Sequence, residues 1–186
     1  MSFFTELKLQ KFQFTMKQKM TLGGIGPRLI MICLPYIILA LSVGNKYPEF
    51  LNIKYFDNLL TRNLGFIWLF AGIAFWISSV IIFLIDFKTG KLIIRGTFRL
   101  CRNPIYASMI IFIIPALAVI FHSGLIFSID LVFFIGFEIS IHGENILLER
   151  TFGKDYENYK KSVNEILPFP RFIFNKNKTL TGKQTI

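Results

Sequence analysis

Residues 64 to 85 read LGFIWLFAGIAFWISSVIIFLI, an apolar run with no charge that closes at Asp86. A helix needs about 20 mostly apolar residues to cross a hydrocarbon core of about 30 Å, so this run predicts a membrane-spanning helix. Toward the N-terminus, residues 29 to 44 (LIMICLPYIILALSVG) form a slightly short second candidate, in which Pro35 predicts a kink that neighbouring helices accommodate. Toward the C-terminus, residues 105 to 121, interrupted by Pro115, and residues 124 to 142, holding Asp130 and Glu138, are two more. His122, Ser123 and Gly124 leave room only for a tight turn between them, so these last two are expected to pair as an antiparallel hairpin. The expected fold class is therefore all-α, a polytopic helical membrane protein of about four transmembrane helices.

The composition agrees with that class. Of the 186 residues, 53% are hydrophobic and 22 are Phe, while only 17% are charged, which is unlike a soluble domain. The formal net charge of +10 would suit a nucleic-acid partner if it formed a single patch, but its distribution argues otherwise. All but three of the 21 basic residues (Lys46, Lys54 and Arg62) fall in segments 1 to 28, 88 to 104 and 143 to 186, separated by apolar runs. Basic residues stay on the cytoplasmic side of a membrane, and an inside N-terminus followed by four spans puts all three clusters there. No nucleic-acid partner is expected. Cys33 and Cys101 make neither a disulfide framework nor a metal pattern, so no metal is expected. The polar start of the chain lacks a small-residue cleavage site, which argues against a removable signal peptide.

From residue 144 the sequence turns amphipathic, with Leu147, Leu148, Phe152, Tyr156, Tyr159 and Val163 recurring near helical spacing between charges. Gly153 breaks what reads as two short helices, and Pro168 and Pro170 end them. The expected organisation is one membrane domain: a cytoplasmic N-terminal segment (1–28), helices and loops (29–142), a C-terminal amphipathic helical segment at the cytoplasmic face (143–174), and a frayed tail (175–186). The amphipathic segment is expected to lie on the membrane surface or to fold back over the basic loop.

Two stretches carry residue types suited to chemistry: Gly96-Thr-Phe-Arg-Leu-Cys-Arg102-Asn103-Pro104-Ile-Tyr106 before the third helix, and Glu144-Asn145-Ile-Leu-Leu148, running on through Phe152-Gly153 to Tyr156 and Tyr159, after the fourth. Because the hairpin between them is tight, its two open ends must be neighbours, which brings Arg102, Asn103 and Tyr106 near Glu144. Read singly, each residue has a plainer role. Arg102 serves as an orienting charge, Glu144 as a solvated helix-end acid, His142 as an interfacial residue, and Tyr156 and Tyr159 as packing residues. Asp130, an acid inside an apolar run, is expected to face the bundle and make a structural hydrogen bond; Glu138, two turns on, lies nearer the cytoplasm and is left without a role.

Taken together, the two stretches resemble the membrane-embedded methyltransferases that include isoprenylcysteine carboxyl methyltransferases and bacterial phospholipid methyltransferases. The family pattern is Gly-x-Tyr/Phe-Arg leading into Arg-His/Asn-Pro-x-Tyr, then a helical hairpin, then Glu-Glu-x-x-Leu-x-x-x-Phe-Gly-x-x-Tyr-x-x-Tyr. Gly96, Phe98, Arg99, Arg102, Asn103, Pro104 and Tyr106 match the first part, and Glu144, Leu148, Phe152, Gly153, Tyr156 and Tyr159 the second; the resemblance covers roughly residues 90 to 170. Two departures stand out. Asn145 replaces the second glutamate, and Asn164-Glu165 stands where the family has Pro-Arg. The resemblance implies S-adenosylmethionine as cofactor and a lipophilic acceptor, with a carboxylate or amine as its reacting group, drawn from the bilayer. Arg102 and Glu144 would be the catalytic residues, and Gly96, Asn103, Pro104, Tyr106, Glu144, Asn145 and Leu148 would bind the cofactor. In that scheme Glu144 holds an ammonium or ribose hydroxyls while Arg102 pairs with a carboxylate. The rival expectations are an NADPH-dependent reductase of sterol-reductase type and a non-catalytic protein that binds lipid or a partner through its basic face. A bacterial plasma membrane is preferred to an endoplasmic reticulum because the chain is compact.

Overall fold

The computed structural model describes residues 24–47 and 58–169. The N-terminal segment before Gly24, the connection from 48 to 57 and the expected frayed tail lie outside the described residues. The described elements are helical: α1 (Gly26–Lys46), α2 (Leu59–Phe87), a 3-10 turn (Gly96–Arg99), α3 (Pro104–Ile120), α4 (Gly124–Phe152) and α5 (Lys154–Ser162). Three of them, α1, α2 and α4, are long and apolar enough to cross a membrane. At 1.5 Å per residue, α3 spans only about 25 Å, short of a hydrocarbon core of about 30 Å.

Local sequence explains where the helices start. Asn58 caps α2 by accepting a hydrogen bond from the Thr61 amide at 2.8 Å, which satisfies one of the open donors of the first turn. Pro27 and Pro104 occupy first-turn positions of α1 and α3, where a missing N–H costs nothing. The two internal prolines do not end their helices. α1 runs on through Pro35, and α3 continues past Pro115 because the six residues Ser108–Ile113 wind as a π-helix. A proline ring crowds the carbonyl four residues back, here that of Ile111, and the wider π turn moves that carbonyl aside.

α4 departs from expectation. It does not stop near residue 142 but continues through Glu144 and Leu148 to Phe152, so the first of the two expected amphipathic helices is the end of α4 itself. Residues 144 to 152 are good helix formers with no breaker among them. The stop comes at Gly153, whose φ of 53° and ψ of −126° are accessible only to glycine.

The helices pack in a row, α1 on α4, α4 on α3 and α3 on α2. Small residues set the spacing. Gly65, Gly72 and Ser79, each seven residues after the last, are the buried positions of α2. A Cβ on Gly72 would sit 2.6 Å from the Cβ of Phe112, and one on Gly65 would sit 2.9 Å from Ile120. Such a seam lets two backbones approach closely without a hydrophobic driving force. On the other side, Gly136 of α4 gives room to Leu29 and Ile32 of α1, and Tyr36 donates to Ser128 at 2.8 Å.

The α3–α4 connection is as tight as expected, with one shift. Gly124 already belongs to α4, and the left-handed residue of the turn is His122, at φ 52°. The Ser123 amide reaches the Ala118 carbonyl (2.9 Å) and the His122 amide reaches Val119 (3.2 Å), a Schellman closure that satisfies the last carbonyls of α3. Of the carboxylate of Asp130, expected to make a structural hydrogen bond, the buried Oδ1 has no partner among the described residues.

Candidate functional site

At the open end of the hairpin, a chain of local constraints brings the two sequence stretches together. Gly96 opens the 3-10 turn at φ 57°, and a Cβ there would collide with the end of the Ile82 side chain. Ser79 of α2, which donates to the Phe75 carbonyl (2.6 Å), places its oxygen 3.0 Å from Thr97 Oγ1 and ties the turn to α2. Tyr159 of α5 donates to the Phe98 carbonyl from the other side. The chain then returns over the loop, with the Arg102 amide bonding to the Asn164 carbonyl (2.8 Å) and the Asn103 amide to the Glu165 carbonyl (3.0 Å). The amphipathic segment thus folds back over the basic loop. Burial of Cys101 in this sandwich pushes its thiol pKa up to about 12, and burial raises the Tyr156 and Tyr159 hydroxyls as well.

Arg102 sits at the centre of a closed ring of side chains. Its Nη1 donates to Tyr156 Oη (3.1 Å), the tyrosine hydroxyl donates to Asn145 Oδ1, Asn145 Nδ2 donates to Glu165 Oε1 (2.8 Å), and Arg102 Nη2 reaches the same Glu165 oxygen at 3.0 Å. The Arg102 side chain is 5% exposed and that of Glu165 28%. Asn145 and Glu165, the two departures from the family pattern, therefore meet in space. Tyr156, expected to be only a packing residue, is a hydrogen-bonded member of the ring. Elsewhere in the basic loop, Arg95 forms a two-pronged pair with Asp86 (2.6 and 2.7 Å).

Glu144 lies one turn of α4 before Leu148 and faces a different neighbour. The amide of Ile25, at the start of α1, approaches its carboxylate, and the amides of Ile25 and Gly26 approach the Tyr106 hydroxyl. The space is close enough that a Cβ on Gly24 would stand 3.4 Å from Glu144 Oε2 and 3.6 Å from Tyr106 Oη. Gly24 has a φ of 48°, and it is this left-handed backbone, rather than the contact distance, that favours glycine there. With no side-chain cap on α1, Glu144 places a carboxylate at that helix's positive N-terminal end. Its second oxygen, Oε2, is buried and has no hydrogen-bond partner among the described residues, as is true of Ser140 Oγ, one turn earlier on the same face.

These residues line one cleft of about 2430 Å³, beyond the 300–1,000 Å³ usual for a single small molecule. Gly96, Arg102, Asn103, Pro104, Tyr106, Glu144 and Leu148 all line it, so seven of the residues singled out by sequence come together. Asn145 does not line it and stands behind Arg102 in the ring. His142 and Glu138 are exposed away from it. Sequence reading missed Gly24, Ile25, Ser140 and the positive contribution of Glu165. For the first two the signal was the run Gly23-Gly24-Ile25-Gly26-Pro27, and for Ser140 its place four residues before Glu144. Part of the remaining wall is apolar, with Met31 from α1 and Val80, Phe83, Leu84 and Phe87 from α2, and Arg28, Lys91, Arg99 and Asp155 bring further charges to it. No group of His, Cys, Asp and Glu among the described residues could hold a metal ion. Comparison with protein-family models, with curated proteins and with solved structures finds no match.

Proposed function

We propose that the chain is a membrane-embedded methyltransferase that moves the methyl group of S-adenosylmethionine to a lipophilic acceptor from the bilayer. In this reading α3 completes a four-helix membrane domain, its short length offset by cover from α2 and α4, and both termini are cytoplasmic. The observation that carries it is the convergence of the two motif stretches on one cleft in which a buried carboxylate oxygen, Glu144 Oε2, lacks a partner among the described residues. A buried unpaired acceptor costs free energy, and a ligand ammonium or ribose hydroxyl would remove that cost. Ser140 Oγ offers a second hydrogen bond on the same helix face, and Tyr106 and Asn103 offer neutral ones beside it.

The cofactor supplies an electrophilic methyl on a sulfonium. The chain's task is to hold and align the two partners and to exclude water, which needs no protein nucleophile. Glu144 and Ser140 serve the polar end of the cleft, while the apolar wall from α1 and α2 suits a hydrocarbon chain. Arg102, expected to pair with a ligand carboxylate, is already paired with Glu165. Its part is to position the loop that carries Asn103, Pro104 and Tyr106.

The deciding experiment titrates the detergent-purified full chain with S-adenosylmethionine and with NADPH. Saturable binding of the first alone, weakened at least about tenfold (about 1.4 kcal/mol) by Glu144→Ala, is the expected outcome. Indifference to S-adenosylmethionine, or a Glu144→Ala variant that binds it as tightly as wild type, would sink this reading. Saturation by NADPH instead would make the chain a reductase.

A further inference from the structure

The cleft holds two buried ionisable groups of opposite sign, and the structure treats them unequally. Glu144 keeps an oxygen with no partner among the described residues. Arg102 has both terminal nitrogens engaged, one on Tyr156 and one on the Glu165 carboxylate, and its Nε has no partner among the described residues. The acid that neutralises it comes from a position where the resembled family carries an arginine, while position 145, where that family carries an acid, is a neutral amide that bridges to the same Glu165 oxygen. We propose that Glu165 sets the charge of the ligand group this cleft accepts: by neutralising Arg102 from within the protein, it withholds the buried cation that would anchor an anion.

The physical argument is one of charge balance. An anion entering beside Arg102 would have to displace Glu165 and bring a second negative charge into the cleft that Glu144 lines, so it would gain one ion pair, lose another and add a repulsion. Removing Glu165 leaves an uncompensated buried cation, which is strongly unfavourable until some other anion occupies it. Arg28, Lys91 and Arg99 also line the cleft, but all three are exposed, where water and salt screen their pull. The group docking beside Glu144 is therefore a neutral or cationic one. Of the two acceptor types left open by the methyl-transfer reading, this excludes the carboxylate; the inference rests on that reading only in taking the cleft as the ligand site.

Laurate and dodecanol, which share a twelve-carbon chain and differ in charge, serve as probes, with binding of each labelled compound measured on the full chain in a neutral detergent. Wild type is expected to bind laurate no more tightly than dodecanol. Glu165→Gln should gain about tenfold or more for laurate alone, and the gain should vanish in Arg102→Gln/Glu165→Gln. The exchange Asn145→Glu/Glu165→Gln, which keeps one carboxylate in the ring, should behave as wild type. Laurate binding about tenfold tighter than dodecanol in the wild type overturns the proposal, even where Glu165→Gln fails to fold. So does a gain that survives loss of Arg102, or one that is lost instead in Arg28→Gln or Arg99→Gln. S-adenosylmethionine is titrated into the same preparations. If it fails to bind while the laurate pattern holds, methyl transfer falls and the charge rule stands. If it binds while wild type favours laurate, the reverse is true.

Discussion

The two ends of the α3–α4 hairpin solve the same problem in different ways. At the turn end, backbone closes on backbone through the Ser123 and His122 amides, and few side chains are asked to do anything polar. At the open end, three side chains close a ring with Arg102, and a returning segment of chain supplies backbone partners for Arg102 and Asn103. Each end also has an α4 acid with a buried oxygen that has no partner among the described residues, Asp130 toward the turn and Glu144 toward the opening. Of the two, Glu144 lines the cleft at the open end, with a helix N-terminus and a tyrosine hydroxyl beside it. An orphaned polar atom by itself is a cost, whereas one that opens on a concavity is a candidate site.

The sharpest test of that contrast is to break the ring. Arg102→Ala removes one partner of a buried ion pair and is expected to cost about 3–5 kcal/mol, read as a lower thermal midpoint of the detergent-purified protein. A fall no larger than that of an exposed substitution such as Lys91→Ala would mean the ring is not structural. The seam between α2 and α3 should come next. Gly72→Val puts methyl groups where even a Cβ approaches Phe112 at 2.6 Å, and overpacking of this kind costs about 1–3 kcal/mol. Unchanged stability would show that the helices can slide apart.

Alkaline pH probes the sandwich over the loop. Because the folded Cys101 thiol is held up at about 12 against about 8.5 when unfolded, the fold favours its protonated form. That contribution is complete below about pH 8.5 and is lost as pH rises toward 12. The midpoint should therefore decline above about pH 8.5, less steeply in Cys101→Ala, and maleimide should label Cys101 at pH 8 only after denaturation. Rapid labelling of the folded protein would contradict the closed sandwich. The smallest effect belongs to the other end of α4. Asp130→Asn removes a charge with an unpaired buried oxygen and should leave stability equal or raise it by up to about 1 kcal/mol, without altering ligand binding. If it weakened S-adenosylmethionine binding as much as Glu144→Ala, the distinction between the two acids would collapse.

How much of this was legible in the sequence depends on how far apart the partners lie along the chain. The apolar runs announced the helices, and the short turn at residues 122 to 124 was enough to place Arg102 beside Glu144, because consecutive helices joined by three residues must be neighbours. The same local information overreached at residue 142, where the apolar run ends and the helix does not. Hydrophobicity reports where a membrane could end, but only a breaker such as Gly153 ends the hydrogen-bond ladder.

Composition and order alone determined the class of the protein, its apolar segments and the pairing of the last two, since all of these follow from the solvation of single side chains and from short loops. Only the tertiary structure decided what the polar residues of the open end do. Asn145 and Glu165 looked like two separate losses until the chain's return along residues 163 to 166 put both against Arg102. Gly24 and Ile25 had no visible link to Glu144 until α1 packed on α4. Those partnerships join positions 20 to more than 100 residues apart in sequence, and no local rule of propensity or periodicity carries information over that distance.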